Sequence, residues 1–561
     1  MTNIANAKIA WVPLLFSAAL LVQGCDRSSS SDPLPDEPGG SVVLDIPDAN
    51  SGLVNLNLSD AQGNFLDDVR VMVIDDSTTG NVVRDNSENQ LSLGGFVQIR
   101  LNDFTGDRVV RLEAEKSGFL SNGIRLDVTG GTSNEASLIL TSVENAGDGI
   151  NISEATGNLQ QGNLIVEAVD VNQSNKTLTR IDVPQDIKIT AVDGEELSGD
   201  LTITVAHYNS IEEQSLSAFP GGFSVNIENA ENIDINSIEG AQIESPEIIF
   251  QSVGFAAIEI FDEFGNKADK FDGDGITITM EIPSSSVNPM TGDLIVAGDS
   301  IPIWSFDTDT ANWLYEGTGT ATSDGNGGLQ VSFLADHLSY WNLDFPSTSR
   351  CTASVNVLST AGGEPNPYPV RVSFRASEVP GSNRFSAGWY RTVTAAASSD
   401  TLTLVNAPAS IPVTVSFSSA AGTPTGLTFN GSSNTTQPID LCAGGTFALE
   451  YPPVGDFFDL NVSVTASCGN DETVPAEPLR SAFVLYRPLR ESGSIPLYFW
   501  KFTNAEGKLT LNVPEGPGTL TVSGAGGSSV ETFANLNQSV DRDVNIVIPN
   551  CPVTTGATGQ E

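Results

Sequence analysis

From residue 41 onward, apolar side chains recur at every second position in short runs, and Gly, Asn, Asp and Pro interrupt the runs. Val69, Val71 and Val73 alternate with Arg70 and Met72. Leu201, Ile203 and Val205 alternate with Thr202 and Thr204 ahead of His207, and Ile276, Ile278, Met280 and Ile282 alternate with threonines and Glu281. A period of two places alternate side chains on opposite faces of a strand, so these runs predict half-buried β-strands. Turn signals such as Gln62-Gly63, Glu263-Phe264-Gly265-Asn266 and Asp324-Gly325-Asn326-Gly327 separate them. No long stretch carries apolar residues at helical spacing. The pattern predicts an all-β chain of tandem Ig-like or transthyretin-like β-sandwich modules.

The start of the chain has a different pattern. Lys8 is the only cation of the first eight residues, and the apolar stretch Ile9 to Val22 follows. That is the length of a signal-peptide core and short for a membrane-spanning helix. It closes on Val22-Gln23-Gly24-Cys25, which resembles the bacterial lipobox, with Gln23 a less usual occupant of its position. The resemblance implies cleavage after residue 24 and a diacylglycerol on Cys25. Residues 26–40, DRSSSSDPLPDEPGG, then read as a flexible polar tether. Each buried acyl methylene contributes about 0.8 kcal/mol, so a multi-chain lipid anchors the protein stably to a membrane. Asp26 resembles the signal that retains enterobacterial lipoproteins in the inner membrane, facing the periplasm. The outer membrane and the cell surface are the other destinations open to such a protein.

After the signal peptide (1–24) and tether (25–40), the pattern divides into modules. Residues 41–142 include GLVNLNLSDAQGNFLDDVRVMVID and VVRLEAEKSGFLSNGIRLDVTGG, an order of strand, glycine turn and strand. They resemble the carboxypeptidase regulatory-like (transthyretin-like) sandwich, which carries no catalysis of its own. Residues 143–347 form one long unit or two closely joined ones. Their signatures are Ala218-Phe219-Pro220-Gly221-Gly222, Val253-Gly254-Phe255, Trp304-Ser305-Phe306-Asp307, Trp313 with Glu316-Gly317, and His337-Leu338-Ser339-Tyr340-Trp341-Asn342. This set resembles a module of bacterial surface proteins and of animal cartilage intermediate layer protein, and it implies no chemistry. Residues 348–450 and 451–555 repeat each other, each with two cysteines.

Cys351, Cys442, Cys468 and Cys551 follow Cys25, an even number that reads as disulfides in an exported chain. Three connectivities exist, and the repeat favours Cys351–Cys442 and Cys468–Cys551. Each bridge would close a loop of about 90 residues, worth about 4 kcal/mol on the chain-entropy model.

Charge adds a second division. The chain carries a formal net charge of −45, with hydrophobic residues at 39% and charged residues at 17%. Residues 346–561 hold 17 acidic against 11 basic side chains, leaving 53 against 14 in residues 1–345. Such a front half repels nucleic acid and anionic headgroups, so no nucleic-acid partner is expected. Chain order then suggests an acidic part near the membrane and a nearly neutral, disulfide-tied pair farthest from it.

Candidate chemistry is sparse. Only two histidines are present, His207 and His337, and neither a Gly-x-Ser-x-Gly elbow nor a His-Glu-x-x-His motif occurs. The expectation is a protein without catalytic activity. Asp272-Gly273-Asp274-Gly275 has the spacing of part of a calcium loop, but the first ligand position would be Lys270, which excludes an EF-hand. A looser calcium turn through Asp269, Asp272 and Asp274 remains, with no other cofactor. Trp389-Tyr390 and Phe499-Trp500 offer Trp389 and Trp500 as stacking platforms for a sugar or a partner. The expected partners are the membrane, through the lipid, and an envelope protein or surface glycan. The leading function is adhesion, biofilm or surface binding. Its alternatives are a periplasm-facing accessory to an outer-membrane transport or export system, such as one taking up apolar substrates, and a polysaccharide-binding protein.

Overall fold

The computed structural model describes residues 42–44, 553–555 and most of 51–548. Within the last range, stretches at 77–89, 104–106, 130–132, 171–176, 228–246, 308–310, 377–384, 396–398, 420–426, 430–432, 452–455, 470–472, 490–498 and a few shorter ones lie outside the described residues. Cys25, Asp26, Cys551 and the whole leader and tether therefore lie outside them. Among the described residues the chain is a set of four β-sandwiches with almost no helix.

The first sandwich packs two four-stranded sheets. One has the order Phe96–Asp103, Ser51–Asp60, Ser133–Ser142, Phe119–Leu120, and the other Gln90–Leu91, Arg70–Asp76, Asp107–Glu115, Asn122–Thr129. Alternation along Ser51–Asp60 sends Val54, Leu56 and Leu58 inward, where they meet Val110, Leu112, Val128 and Leu140 in a closed core. The opening strand is antiparallel to Phe96–Asp103 and parallel to the final strand, Ser133–Ser142.

The same connectivity returns in the third and fourth sandwiches. Arg350–Ala361 is antiparallel to Ser399–Pro408 and parallel to Gly445–Tyr451. Phe457–Cys468 is antiparallel to Lys508–Pro514 and parallel to Val540–Ile548. Register repeats along with connectivity. Asn55 lies opposite Gln98 and Glu135, Asn356 opposite Thr401 and Thr446, and Asn461 opposite Thr510 and Asp541. In the last two units this asparagine forms a rung on the solvent side. Thr401 Oγ1 donates to Asn356 Oδ1 at 2.8 Å, and Thr510 Oγ1 donates to Asn461 Oδ1 at 2.7 Å. Asn461 Nδ2 passes the bond on to Asp541 Oδ1 at 2.9 Å. Such cross-strand polar pairs stabilise a register that burial on one face already selects.

Residues 150–347 form a single larger sandwich. Its main sheet runs Ile150–Gly157, Leu201–Tyr208, Glu247–Phe261, Tyr340–Ser347, Ser300–Asp307, Asn312–Thr320, with Ser224–Asn226 added on Glu247–Phe261. The facing sheet runs Leu164–Val169, Leu178–Val183, Ile276–Ile282, Leu329–Ala335, Thr322–Ser323. Val205, Ala256, Ile278, Met280, Trp341 and Leu343 fill the space between the sheets. The main sheet is buried on its other face too, where Phe219, Phe223, Phe250, Phe255, Trp304, Phe306 and Trp313 collect. This explains why Glu247–Phe261 reads as a near-continuous apolar run rather than a clean alternation.

Cys351 and Cys442 are bonded, tying the opening strand of the third sandwich to the turn before its last strand. Cys468 is disulfide-bonded as well, and its partner lies outside the described residues.

The units do not string out in chain order. Tyr340 Oη donates to Ser121 O at 2.6 Å and Tyr208 Oη to Thr141 Oγ1 at 3.0 Å, joining the second sandwich to the first. Arg375 donates to the Ile211 carbonyl, joining the third to the second. The Tyr368 ring lies 5.1 Å from that of Phe457 and 5.8 Å from that of Phe499, joining the third to the fourth. Phe65 of the first unit packs on Phe483 and Leu485 of the fourth. Finally Val42–Leu44 pairs antiparallel with Val553–Thr555. Chain order had suggested a disulfide-tied end farthest from the tether. The structure corrects this, because the strand just after the tether is bonded to the end of the fourth unit.

Candidate functional site

Polar residues beside the Val253-Gly254-Phe255 and His337–Asn342 signatures meet at the joint between the second and third sandwiches. Glu247–Phe261 is bulged between Ser252 and Gly254, where its register against Tyr340–Ser347 shifts. A bulge turns backbone groups out of the ladder, and here Ser252 N donates to Gly388 O at 2.8 Å while Gly388 N donates to Ser252 O at 2.6 Å. Below that bridge, Ser252 Oγ donates to Asn342 Oδ1 at 2.8 Å and Asn342 Nδ2 to Asp344 Oδ2 at 2.7 Å. Asp344 also accepts from Gln251 N, and its carbonyl accepts from Trp304 Nε1 at 3.0 Å. Asp344 is fully buried. Burial raises its carboxyl well above the usual range, and the bonds from Asn342 and Gln251 only partly offset this.

Glu316, Ser305 and His337 of the same segment also meet. Ser305 Oγ donates to Glu316 Oε1 at 2.5 Å, His337 Nε2 lies 3.7 Å from the same oxygen, and His337 Nδ1 lies 2.9 Å from Asp336 Oδ1. The serine faces a carboxylate rather than the imidazole, so the group lacks the nucleophile–base contact of a triad. The bond to His337 holds the Asp336 carboxyl low despite some burial. His207 is buried between Thr177 Oγ1 at 2.7 Å and Thr179 Oγ1 at 2.9 Å. Burial lowers its pKa to about 4, with Asp170 pulling the other way, so the ring is neutral at physiological pH.

The proposed calcium turn does not assemble. Asp269 lies in the strand Ala268–Phe271, where its carbonyl accepts from Leu338 N, and Asp272 N donates to Lys188 O. Asp272 and Asp274 are exposed turn residues. Among the described residues, no group of three or more His, Cys, Asp or Glu side chains is placed to hold a metal ion. The surface platform at Trp389 is also corrected. Trp389 is 1% exposed and Tyr390 is 4% exposed, at the point where Gly388 bridges Ser252 and Tyr390 meets Glu213 of the second sandwich. Trp500 lies on the strand Phe499–Phe502 opposite Leu485, and its side chain falls outside the described residues.

Sequence reasoning missed a cleft of about 310 Å³ where the first three sandwiches meet. Gln62, Asp148, Glu212, Glu213, Arg371 and Tyr390 line it. The Tyr390 hydroxyl lies 3.0 Å from Glu213 Oε1 and 2.9 Å from Ser373 Oγ, and Asp148 N donates to Gln214 Oε1 at 2.8 Å. Gly63, at φ +84°, takes the left-handed backbone that favours glycine in the turn facing Arg371 of the third sandwich. No local signal in the sequence marks this cleft, whose walls come from three separate units.

No family model matches the chain. No curated protein matches it either. Solved structures that superpose on parts of it include the minor pilin GBS52 of Streptococcus agalactiae, at 10% identity and TM-score 0.14, covering 36% of this chain and 98% of that one. The major pilin BcpA of Bacillus cereus does so at 8% identity and TM-score 0.15, covering 89% and 99%. The major pilin SpaD of Corynebacterium diphtheriae does so at 9% identity and TM-score 0.12, covering 89% and 97%. Superpositions this loose do not establish a shared fold, and the architecture of this chain rests on its own sheets. No helix among the described residues is long and apolar enough to cross a membrane.

Proposed function

We propose that the protein is a lipid-anchored, non-enzymatic component of the bacterial envelope that acts by binding, in adhesion or contact with surface matrix. The observation that carries the reading is the joining of four sandwiches by specific bonds, among them the paired backbone bonds of Ser252 and Gly388. Such an array presents loops and sheet faces in fixed relation, which suits a binding scaffold. The lipobox-like Val22-Gln23-Gly24-Cys25 supplies the anchor in this reading. Two measurements test it together. Labelled palmitate should enter the wild-type chain and not Cys25→Ser, and a deletion strain should lose surface attachment. Normal attachment by that strain sinks the adhesion reading.

Asp26 favours a second reading, a periplasm-facing accessory lipoprotein of an outer-membrane transport or export system. Protease added to intact cells separates the two. Shaving supports the surface reading, and protection until the outer membrane is opened supports the periplasmic one.

A further inference from the structure

The cleft of about 310 Å³ where the first three sandwiches meet holds charges of both signs that do not pair with each other. Neighbouring strands of the third unit, Val370–Ala376, Tyr390–Ala395 and Val413–Ser419, supply Arg371, Tyr390 and Ser418, and register sets Arg371 opposite Ser418. Arg371 Nε donates to Thr392 Oγ1 at 3.2 Å. Among the described residues its two Nη groups make no hydrogen bond and no ion pair. The segment leading into the second unit supplies Asp148, and the short helix Glu213–Ser217 supplies Glu213, Gln214 and Ser217. Asp148 is tied through its backbone N to Gln214 Oε1, and its carboxylate has no partner among the described residues. Glu213 is oriented through Oε1 by the Tyr390 hydroxyl.

Three carboxylates, of Asp148, Glu212 and Glu213, thus share the cleft with one guanidinium. The balance favours a cationic ligand, on a chain whose net charge is already −45. The unpaired Arg371 adds a second requirement. A charged donor facing a cleft gains most from acceptor oxygens on the same ligand. The rest of the lining adds a third. Beyond Ala61 and the Tyr390 ring it is polar, with Gln62, Gln214, Ser217 and Ser418 completing it. An alkylammonium would find almost no apolar wall for its stem, whereas a hydroxyl-rich ring meets donors and acceptors on every side. We propose that this cleft binds an amino sugar, its ammonium held by Asp148 and Glu213 and its hydroxyls by Arg371 and the neighbouring amides. The inference names a ligand for the binding function proposed above, and rests on that reading for where the sugar is met, in a glycan of the surface matrix.

Calorimetric titration of the full-length protein in detergent at physiological salt tests the cleft. The probes are the glucosamine tetramer, its fully N-acetylated form, the glucose tetramer and tetralysine. The glucosamine tetramer should bind, and the other three about tenfold or more weakly, the scale of one lost hydrogen bond to a charged group. Asp148→Asn should weaken the glucosamine tetramer by about tenfold with an unchanged melting temperature, because the exposed side chain holds nothing else. Asp272→Asn, in an exposed turn elsewhere, should leave the affinity as it is. Arg371→Gln separates recognition from simple attraction of cations. Removing a positive charge would tighten the latter, whereas the proposal expects weaker binding. Absence of binding by the glucosamine tetramer, equal affinity for tetralysine, unchanged binding to Asp148→Asn, or tighter binding to Arg371→Gln each overturns the proposal. The deletion strain separates it from the adhesion reading. Normal attachment by that strain, alongside binding of the tetramer, sinks adhesion and leaves the ligand standing. Lost attachment without binding of the tetramer does the reverse.

Discussion

Ser252 and Gly388 lie in different sandwiches and exchange two backbone hydrogen bonds, as neighbours in a single sheet would. Gly388 is required there by space. A Cβ at that position would fall 2.5 Å from the Ser210 carbonyl oxygen and 2.7 Å from Leu216 Cδ2. Gly388→Val should therefore push the two units apart and cost about 1–3 kcal/mol, the usual range for overpacking. Calorimetry checks this, with the second and third units unfolding in separate transitions in the variant and closer together in the wild type.

Trp389 sits beside that bridge, and its carbonyl accepts from Ala376 N at 2.9 Å. If the indole were a sugar platform, Trp389→Ala would weaken glycan binding and leave stability unchanged. Its burial leads to the opposite expectation, a loss of about 3–5 kcal/mol through the cavity left behind. Denaturant midpoints of wild type and variant measure it.

Asp344 ties the joint to pH. Its folded pKa is raised by burial, so the folded protein holds this proton more tightly than the unfolded chain does. Its contribution is complete below the unfolded carboxyl pKa of about 3.9 and is lost as pH rises through the raised folded value. In Asp344→Asn that downward slope disappears. Subtracting the stability–pH curve of the variant from that of wild type should give a difference that falls with rising pH. A flat difference would show that this carboxyl ionises as it does in the unfolded chain.

The Cys351–Cys442 bridge should carry much of the third unit's stability. Replacing both cysteines by serine is expected to cost about 2–5 kcal/mol, the usual range for removing a native bridge from a small exported domain. Hydrogen exchange should place the loss in Arg350–Ala361 and Gly445–Tyr451, the strands on either side of the bond. The first sandwich should stay protected.

Much of the fold was legible because it rests on local alternation. Val54, Leu56 and Leu58 announce one buried face, and Val355 and Val357 around Asn356 announce another, and both are buried. Trp304, Trp313 and Trp341 were readable as core from their alternating neighbours. Trp389 was misread because it sits beside Gly388, whose bridge to Ser252 buries it at a joint between two units that no local pattern announces. Asp269, Asp272 and Asp274 are close in sequence, but Asp269 belongs to the strand Ala268–Phe271 while Asp272 and Asp274 sit in the exposed turn after it.

The sequence by itself determined the element type and the pairing of Cys351 with Cys442, since these depend on period, turn residues and repeat. Tertiary structure alone decided which second faces are covered, that Ser252 meets Gly388, and that residues 42–44 return to 553–555. The physical reason lies in what each kind of information encodes. A period of two states which side chains share a face. It carries no record of the distant backbone or ring that will cover that face, and those partners are chosen by shape and unpaired hydrogen bonds once the separate sandwiches have formed.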